Sequence, residues 1–223
     1  MIPRIVGHRG SPHDAPENTL ASFQAALAAG ARGVELDVRL SADDVVVVHH
    51  DAQLGRILEG SERIEDMRAA ELHARGVPFL SQLLPLPLWF DVEIKGDADN
   101  ASQLPAHVHE TVRAAGAQER VLVTSFDHEL ADQYARLSGS PAGMIVPYAP
   151  EPRDVESYPR LRTVAIAEDA ALPETIASLR AQGRDVLVWT VNDGKSALAL
   201  LRAGADGIIT DRPGPMMRAL ELA

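Results

Sequence analysis

The sequence predicts an α/β fold, a (β/α)8 TIM barrel with an extra hairpin strand after strand two. Eight short β-branched runs alternate with Ala- and Leu-rich segments, which is typical of a parallel sheet covered by helices. The 223 residues are 46% hydrophobic, which suits one globular domain over 1–223. An open doubly wound sheet is the alternative, but no GxGxxG motif follows the first run to support a dinucleotide fold.

The chain order of these elements is regular. The predicted strands are 4–8, 33–38, 88–94, 121–126, 143–147, 163–168, 186–191 and 207–210. Helix-like segments lie between most of them, at 18–30, 101–116, 128–139, 173–183 and 194–204. Several of these segments end in glycine, the usual residue just after a helix C-terminus.

A ninth run, VVVVHHD at 45–51, interrupts the alternation. Only residues 40–44 separate it from the second strand, whereas a parallel crossover needs a dozen residues or more. The two runs are therefore predicted to form an antiparallel hairpin that turns at Asp43 and Asp44.

The hairpin predicts which histidine reaches the rim of the barrel. Counted outward from the turn, Asp37 and His50 are nearly equally distant, so the hairpin should bring His50 beside Asp37. A bulge of one residue would place His49 there instead.

Composition excludes several classes of function. The chain has no cysteine, so thiolate catalysis, disulfides and Cys-based zinc sites are excluded. A net charge of -11 without a basic block disfavours nucleic acids and anionic membranes as partners. The first residues do not resemble a signal peptide, and no apolar run is long enough to span a membrane. We therefore expect a cytoplasmic protein without stable membrane association.

Acidic side chains mark the ends of two neighbouring predicted strands. Glu35 and Asp37 share one face of their strand, and Glu93 shares a face with Lys95 on the next. The three carboxylates would form an all-oxygen site for Mg²⁺ or Ca²⁺. An ion-pair network neutralised by Lys95 or another basic side chain is an equal alternative.

Basic side chains are expected at the same rim. His8 and Arg9 end the first strand, and His50 ends the hairpin strand. Arginine offers a planar fork of donors for phosphate oxygens, and imidazoles exchange protons near neutral pH. Two histidines beside a metal ion would supply the acid, the base and the Lewis acid that phosphodiester hydrolysis needs.

Seven short motifs follow one another along the chain: GHRG, APENT, GVELDVRLSADDVVVVHHD, VEIK, TSF, VWTVN and GADGIITDRP. In this order, from about residue 5 to residue 213, the chain resembles the glycerophosphodiester phosphodiesterase family. The resemblance implies a (β/α)8 barrel with a bound divalent cation. It also implies hydrolysis of glycerophosphodiesters to sn-glycerol 3-phosphate and an alcohol.

The resemblance implies roles for individual positions. His8 and His50 match the acid–base pair of the family. The residues that match its substrate contacts are Arg9 and Lys95 at the phosphate and Trp189 at the cleft wall. The residues that match its metal ligands are Glu35, Asp37 and Glu93.

Other positions receive interpretations of their own. Glu17 and Asn18 match the PENT element, although Asn18 can serve simply as a helix N-cap. Trp89 is interpreted as packing in the barrel floor. The histidines on helix-like segments are interpreted as solvated, namely His73, His107, His109 and His128.

The chain departs from the family pattern in the hairpin and after it. The family usually has Asp-Gly at the hairpin tip, where this chain has Asp43 and Asp44. Aspartate tolerates the left-handed backbone less easily than glycine. The segment 51–88 is short for the family. Because this region helps cover the cleft in the family, the difference affects which alcohol group of the substrate the cleft accepts.

The expected function is thus metal-dependent hydrolysis of a small, soluble glycerophosphodiester by two histidines. A related phosphodiesterase acting on lysophospholipids or sphingolipids is one alternative. A metal-dependent barrel lyase is another, since it would use the same carboxylates and lysine but no pair of histidines. Oligomeric state and the choice between Mg²⁺ and Ca²⁺ are not predicted.

Overall fold

The computed structural model of the chain describes residue 2 and residues 4–221. Nine strands form one sheet. They are β1 (Ile5–Gly7), β2 (Gly33–Leu40), β3 (Val46–Val48), β4 (Trp89–Ile94), β5 (Val121–Ser125), β6 (Ala142–Val146), β7 (Leu161–Ala167), β8 (Asp185–Trp189) and β9 (Gly207–Thr210). The eight predicted barrel strands and the ninth hairpin strand are all present.

The helices lie between the strands. They are α1 (Leu20–Ala28), α2 (Ala69–Ala74), α3 (Leu80–Leu83), α4 (Leu104–Ala114), α5 (His128–Ser138), α6 (Pro152–Glu156), α7 (Pro173–Ala181), α8 (Gly194–Arg202) and α9 (Pro213–Glu221). The five predicted helical segments contain α1, α4, α5, α7 and α8. Helices α2, α3 and α6 are not predicted from the sequence, because they are too short to show a helical period. Helix α9 is not predicted either.

The sheet closes into a barrel. Its order is β1, β9, β8, β7, β6, β5, β4, β2 and back to β1, and every pairing within this ring is parallel. β3 lies outside the ring, antiparallel to β2. The predicted TIM barrel with an extra hairpin strand is confirmed, and the open doubly wound sheet is excluded.

Two apolar layers hold the barrel together. The larger lies between the strands and the surrounding helices, and includes Phe23, Leu36 and Phe90. The smaller fills the barrel interior with one side chain from each of six strands, and Trp89 packs against it as expected. Apolar side chains fill this part of the interior, and the carboxylates of β2 and β4 converge towards the C-terminal end of the strands.

The hairpin turns where the sequence predicts. Val38 pairs with Val48 and Leu40 with Val46, and Asp44 adopts the left-handed backbone with φ of 60°. The residue opposite Asp37 is nevertheless His49, whose backbone N–H donates to the Asp37 carbonyl at 3.0 Å. The count that placed His50 opposite Asp37 is therefore wrong by one residue.

Residues 49–79 form a lobe over the hairpin. Val47 faces this lobe and packs with Leu54, Ile64 and Leu72, all of them buried. Since the regular pairing ends at Val48, the chain can turn away from the sheet beyond it.

Candidate active site

Two connected cavities open at the C-terminal end of the barrel strands. The smaller, here called the narrow chamber, has a volume of about 130 Å³ and is lined by residues that include His8, Glu35 and Trp189. The larger, here called the wide cleft, has a volume of about 1230 Å³ and is lined by residues that include Asp51 and Asp127. The residues that line both are His50, Glu93, Lys95 and Phe126. A ligand at this junction contacts both spaces.

The strand register brings the acidic residues together. β2 and β4 pair with Glu35 beside Asp91 and Asp37 beside Glu93. Because alternate residues share a face, four carboxyl groups point into the barrel on two adjacent levels. Ligand oxygens of Glu35, Asp37 and Glu93 lie within 4.8 Å of one another. The sequence predicts these three carboxylates as one cluster, and the structure brings them together.

Two cations partly neutralise this cluster. Lys95 Nζ lies 2.8 Å from Asp37 Oδ1 and also donates to Glu93. Arg9 Nε lies 3.2 Å from Asp37 Oδ2, and the Arg9 backbone N–H donates to Glu35 at 2.9 Å. Although burial alone would raise it, Lys95 and Arg9 hold the pKa of the Asp37 carboxyl below its usual range.

The remaining carboxyl groups lack enough positive charge. Burial raises the pKa of Glu35 to about 7 and of Glu93 to about 8, and in both cases the charge of Asp37 adds to the effect. Burial likewise raises the pKa of Asp91 to about 7. Oε1 of Glu35 is buried without a hydrogen-bond partner. A site for a divalent cation with oxygen ligands would have both features, an unpartnered carboxylate oxygen and too little positive charge around its carboxylates. These residues therefore fit such an ion.

His8 is held by a carboxylate from the last barrel strand. Its Nδ1 lies 2.7 Å from Asp211 Oδ1, and its Nε2 lies 3.9 Å from Glu35. Burial lowers the pKa of His8, but the hydrogen bond to Asp211 and the charge of Glu35 outweigh it and raise the pKa above its ordinary value. Since an ionised carboxylate only accepts, Nδ1 carries the hydrogen and Nε2 faces the chamber.

His50 has a similar arrangement with different partners. Its Nδ1 lies 2.7 Å from Asp51 Oδ1, while buried Arg39 donates two hydrogen bonds to its backbone carbonyl at 2.6 and 3.0 Å. Burial lowers the pKa of His50 below its ordinary value. The side chain that reaches the junction is that of His50, as the sequence predicts, although the backbone pairing differs by one residue. His49 is buried in the lobe.

The loop before α1 supports the cluster from the side. Asn18 Nδ2 donates to Asp37 Oδ2 at 2.7 Å, with φ of 56° at Asn18. The side chain that caps α1 is Thr19, which accepts from the Ser22 backbone N–H. The interpretation of Asn18 as a simple N-cap is therefore wrong, because its amide is used by a cluster carboxylate.

An arginine of the lobe joins two of these supports. Arg56 donates through Nε to Asp51 at 2.6 Å and through its terminal nitrogens to Glu17 at 2.6 and 3.1 Å. Glu17 in turn accepts from Arg9 at 2.8 Å. A continuous line of charged contacts thus runs from His50 through the lobe to Arg9.

Aromatic side chains form the apolar wall. Trp189 lines the narrow chamber, with its Nε1 donating to the Ala165 carbonyl at 3.1 Å. Phe126 stacks edgewise against it at 5.7 Å. His128 is half-buried, contacts the Ile145 carbonyl at 3.2 Å and lines the wide cleft, so its interpretation as a solvated residue is wrong. Of the other helix histidines, His73 is exposed and His107 and His109 are half-buried.

Sequence reasoning missed the partners of the named residues. Asp211, Asp51 and Arg56 were not assigned roles, nor was Phe126. Asp211 and Asp51 lie within or beside motifs that carry the resemblance, GIITDRP and VVVVHHD, so their position was a usable signal. The contact of His8 with Asp211, 203 residues apart, follows only from closure of the barrel through β1 and β9.

The chain is similar over nearly its whole length to known proteins. Residues 8–215 match the model of the glycerophosphoryl diester phosphodiesterase family. A glycerophosphodiester phosphodiesterase of Caldanaerobacter subterraneus is 27% identical over 94% of each chain, and one of Bacillus altitudinis is 27% identical over 98% of each. A phosphodiesterase of Oleispira antarctica, solved in complex with the product sn-glycerol-3-phosphate, superposes with a TM-score of 0.90. It is 26% identical, and the match covers 99% of this chain and 97% of that one.

One further observation concerns membranes. Among the helices formed by residues 4–221, none is both long and apolar enough to cross a bilayer.

Proposed function

The chain belongs to the glycerophosphoryl diester phosphodiesterase family and is a phosphoric diester hydrolase, and from this we propose that it hydrolyses glycerophosphodiesters to sn-glycerol 3-phosphate and an alcohol by metal-dependent His8/His50 acid–base catalysis. One observation carries the proposal. Two imidazoles, each with Nδ1 on a carboxylate, line one cavity with a cation-deficient carboxylate cluster. A product complex of a relative supports the choice of substrate.

The phosphoryl group would bind at the junction of the two cavities. Arg9 and Lys95 provide positive charge there, each already held against Asp37. A divalent cation on Glu35, Asp37 and Glu93, Mg²⁺ or Ca²⁺, would add charge that stabilises the phosphoryl oxygens in the transition state. Lys95 remains beside these ligands as a donor to the substrate.

The positions of the histidines suggest their roles. His8 lines only the narrow chamber, whereas His50 also lines the wide cleft. Position therefore supports these roles. His8 Nε2 removes the proton from the nucleophile, since a cation on Glu35 would offset the charge that raises the pKa of His8 in the metal-free site. His50 Nε2 gives a proton to the oxygen of the alcohol that leaves into the wide cleft. Because Nδ1 of each ring donates to a carboxylate, Nε2 is free to exchange a proton.

Two nucleophiles are consistent with these residues. Water would give the product directly, and the 2-hydroxyl of the substrate would give a cyclic phosphate first. Single-turnover analysis by phosphorus NMR distinguishes them, because a cyclic phosphate appears and decays only on the second route.

We place this activity in a single barrel domain of the cytoplasm, acting on small molecules. The net charge of -11 disfavours anionic membranes and nucleic acids as partners.

The test of the reaction is release of sn-glycerol 3-phosphate from glycerophosphocholine by the wild type and by His50→Ala. We expect turnover by the wild type and a loss of at least about a hundredfold in the variant. His73→Ala, which removes an exposed histidine of the lobe, is the matched control and should retain full activity. Absence of turnover in the wild type with Mg²⁺ or Ca²⁺ supplied would refute the proposal.

The division of roles has its own test. A glycerophosphodiester with a p-nitrophenol leaving group needs no proton from the enzyme to depart. We expect His50→Ala to regain most of its activity on this substrate, while His8→Ala does not. The reverse pattern would exchange the two roles.

A further inference from the structure

The two cavities differ in how they can accommodate the two sides of a phosphodiester, an argument that rests on the proposed function. The narrow chamber holds about 130 Å³ and ends in apolar side chains such as Ile145 and Ile209. The wide cleft is nearly ten times larger and opens to solvent. With the phosphoryl group at the junction, the constant glycerol side fits the narrow chamber, and the variable alcohol extends into the wide cleft.

The positive charges of the wide cleft are already matched. Among the described residues that line it, Arg39 lies 2.8 Å from Asp97 and Arg56 lies 2.6 Å from Asp51. Lys95 is paired within the carboxylate cluster. Arg39 and Arg56 therefore have little capacity to attract an anion on the alcohol side, and under the proposed function Lys95 already serves the carboxylate cluster and the phosphoryl group.

One carboxylate of the cleft is not matched. Asp127 makes no ion pair with Lys, Arg or His among the residues that the structure describes. Its Oδ1 accepts the Glu129 backbone N–H and caps α5. Its side chain lies over Gly96, where an added methyl carbon would be 3.0 Å from Asp127 Cβ and 3.4 Å from Oδ2. The negative charge is thus held beside the Gly96 backbone, on the wall of the wide cleft.

Aromatic side chains line the same cleft as this charge. Phe126 follows directly after the buried strand β5 and is itself 48% exposed. Its ring packs edge-to-face against Trp189 at 83°. Tyr158 and His128 form a second edge-to-face pair at 5.5 Å on the same cleft. Exposed aromatic rings beside an unmatched carboxylate are the groups that bind ammonium and quaternary ammonium cations.

We propose that Asp127 and Phe126 form a subsite for the alcohol group that selects glycerophosphodiesters whose alcohol carries a positive charge. Choline and ethanolamine have this chemistry, whereas glycerol and inositol do not. The subsite complements a zwitterion, since its negative charge lines the same cleft as Lys95, one of the cations proposed to hold the phosphoryl group.

The test compares cationic and neutral alcohols with Asp127→Asn. Asparagine caps helices as well as aspartate does, so this variant removes the charge and keeps the start of α5. We expect kcat/KM for glycerophosphocholine and glycerophosphoethanolamine to fall about threefold to tenfold. The value for glycerophosphoglycerol should change less than about twofold. Phe126→Leu, which keeps an apolar side chain, should reduce the value most for glycerophosphocholine.

The matched control is Asp193→Asn. Asp193 caps α8 through its side chain in the same manner but does not line either cavity. It should leave all three substrates unchanged. An equal loss on cationic and neutral substrates by Asp127→Asn, or no loss on any, would overturn the subsite.

A binding measurement separates this inference from the proposed reaction. Choline alone is titrated into wild type and Asp127→Asn and followed by saturation-transfer NMR. Weaker binding to the variant supports the subsite whether or not the chain turns over any diester, and equal binding overturns it. Absence of turnover on all three substrates by the wild type would refute the reaction and not the subsite.

Discussion

His8 and His50 owe their orientation to single carboxylates at 2.7 Å, Asp211 and Asp51. Both histidines and the three acidic residues could be predicted, because strand ends of a parallel barrel converge on one rim. Their partners could not be assigned with the same rules, since a side-chain contact between distant strands or within an irregular loop depends on barrel closure and on rotamers. The error of one residue in the hairpin count has a different origin. The backbone N–H of Ser41 donates to the Val45 carbonyl, so the loop has three residues, 42–44, and the turn is centred on Asp43 rather than between Asp43 and Asp44.

The first prediction at this scale concerns Asp211→Asn. The hydrogen bond and charge of Asp211 raise the pKa of His8 against the lowering effect of burial, so the variant should lower that pKa. His8 then loses its proton at a lower pH than in the wild type. Histidine NMR titration of the metal-free protein measures this, and an unchanged or higher pKa of His8 would contradict the assignment.

The second prediction concerns Arg56→Gln. Arg56 fixes Asp51 and Glu17, which in turn contact His50 and Arg9. Loss of these charge-assisted bonds should reduce kcat about tenfold and leave KM within about threefold, since the arginine acts through other side chains.

The control for Arg56→Gln is Arg63→Gln. Arg63 is in the same lobe, and its side chain is equally exposed at 45%. Among the residues that the structure describes, its one ion pair is with Glu65. It should not alter kcat. Equal losses in both variants would show that the lobe merely loses stability.

At the scale of elements, the hairpin positions the lobe. Asp43 Oδ1 accepts the backbone N–H of Ala69 at 2.7 Å and the hydroxyl of Ser41, so the tip is tied to α2. Asp44 takes the left-handed conformation with φ of 60°. The sequence predicted the turn correctly because five residues between two strands are too few for any other connection. It could not predict the tie to Ala69, which is in another element.

The third prediction follows from this difference between neighbouring aspartates. Asp44→Gly should stabilise the fold by about 0.5 kcal/mol, because glycine adopts positive φ without the cost of a side chain. Asp43→Gly should destabilise it, because the hydrogen bonds from Ala69 and Ser41 are lost. Urea unfolding measures both, and effects of the same sign would contradict the described tip.

At the scale of the whole molecule, the barrel concentrates uncompensated acid in its interior. Burial raises the pKa values of Glu35 to about 7 and Glu93 to about 8, above those of an unfolded chain. At a pH below the pKa that these carboxyl groups have in the unfolded chain, their protonation stabilises the metal-free protein to its full extent. This contribution is lost as the pH rises through 7 and 8. The fold was predicted almost completely from alternating strands and helices, whereas this charge balance required the packed interior.

The fourth prediction is that divalent cations stabilise the protein more as the pH rises. A bound cation replaces the protons of the cluster, so the increase in Tm caused by Mg²⁺ or Ca²⁺ should grow between about pH 6 and about pH 9. Glu35→Gln removes one ligand and should show a smaller increase. A shift independent of pH, or equal in wild type and variant, would contradict the description of the cluster.

The most direct test of the central claim is a paired titration of metal-stripped protein with Mn²⁺. Binding is followed by electron paramagnetic resonance, and release of sn-glycerol 3-phosphate from glycerophosphocholine is followed in the same samples. We expect one tightly bound ion for each chain, turnover in proportion to that ion, and loss of both in Glu35→Gln. Turnover without the ion, or full binding by the variant, would contradict a metal-dependent phosphodiesterase built on Glu35, Asp37 and Glu93.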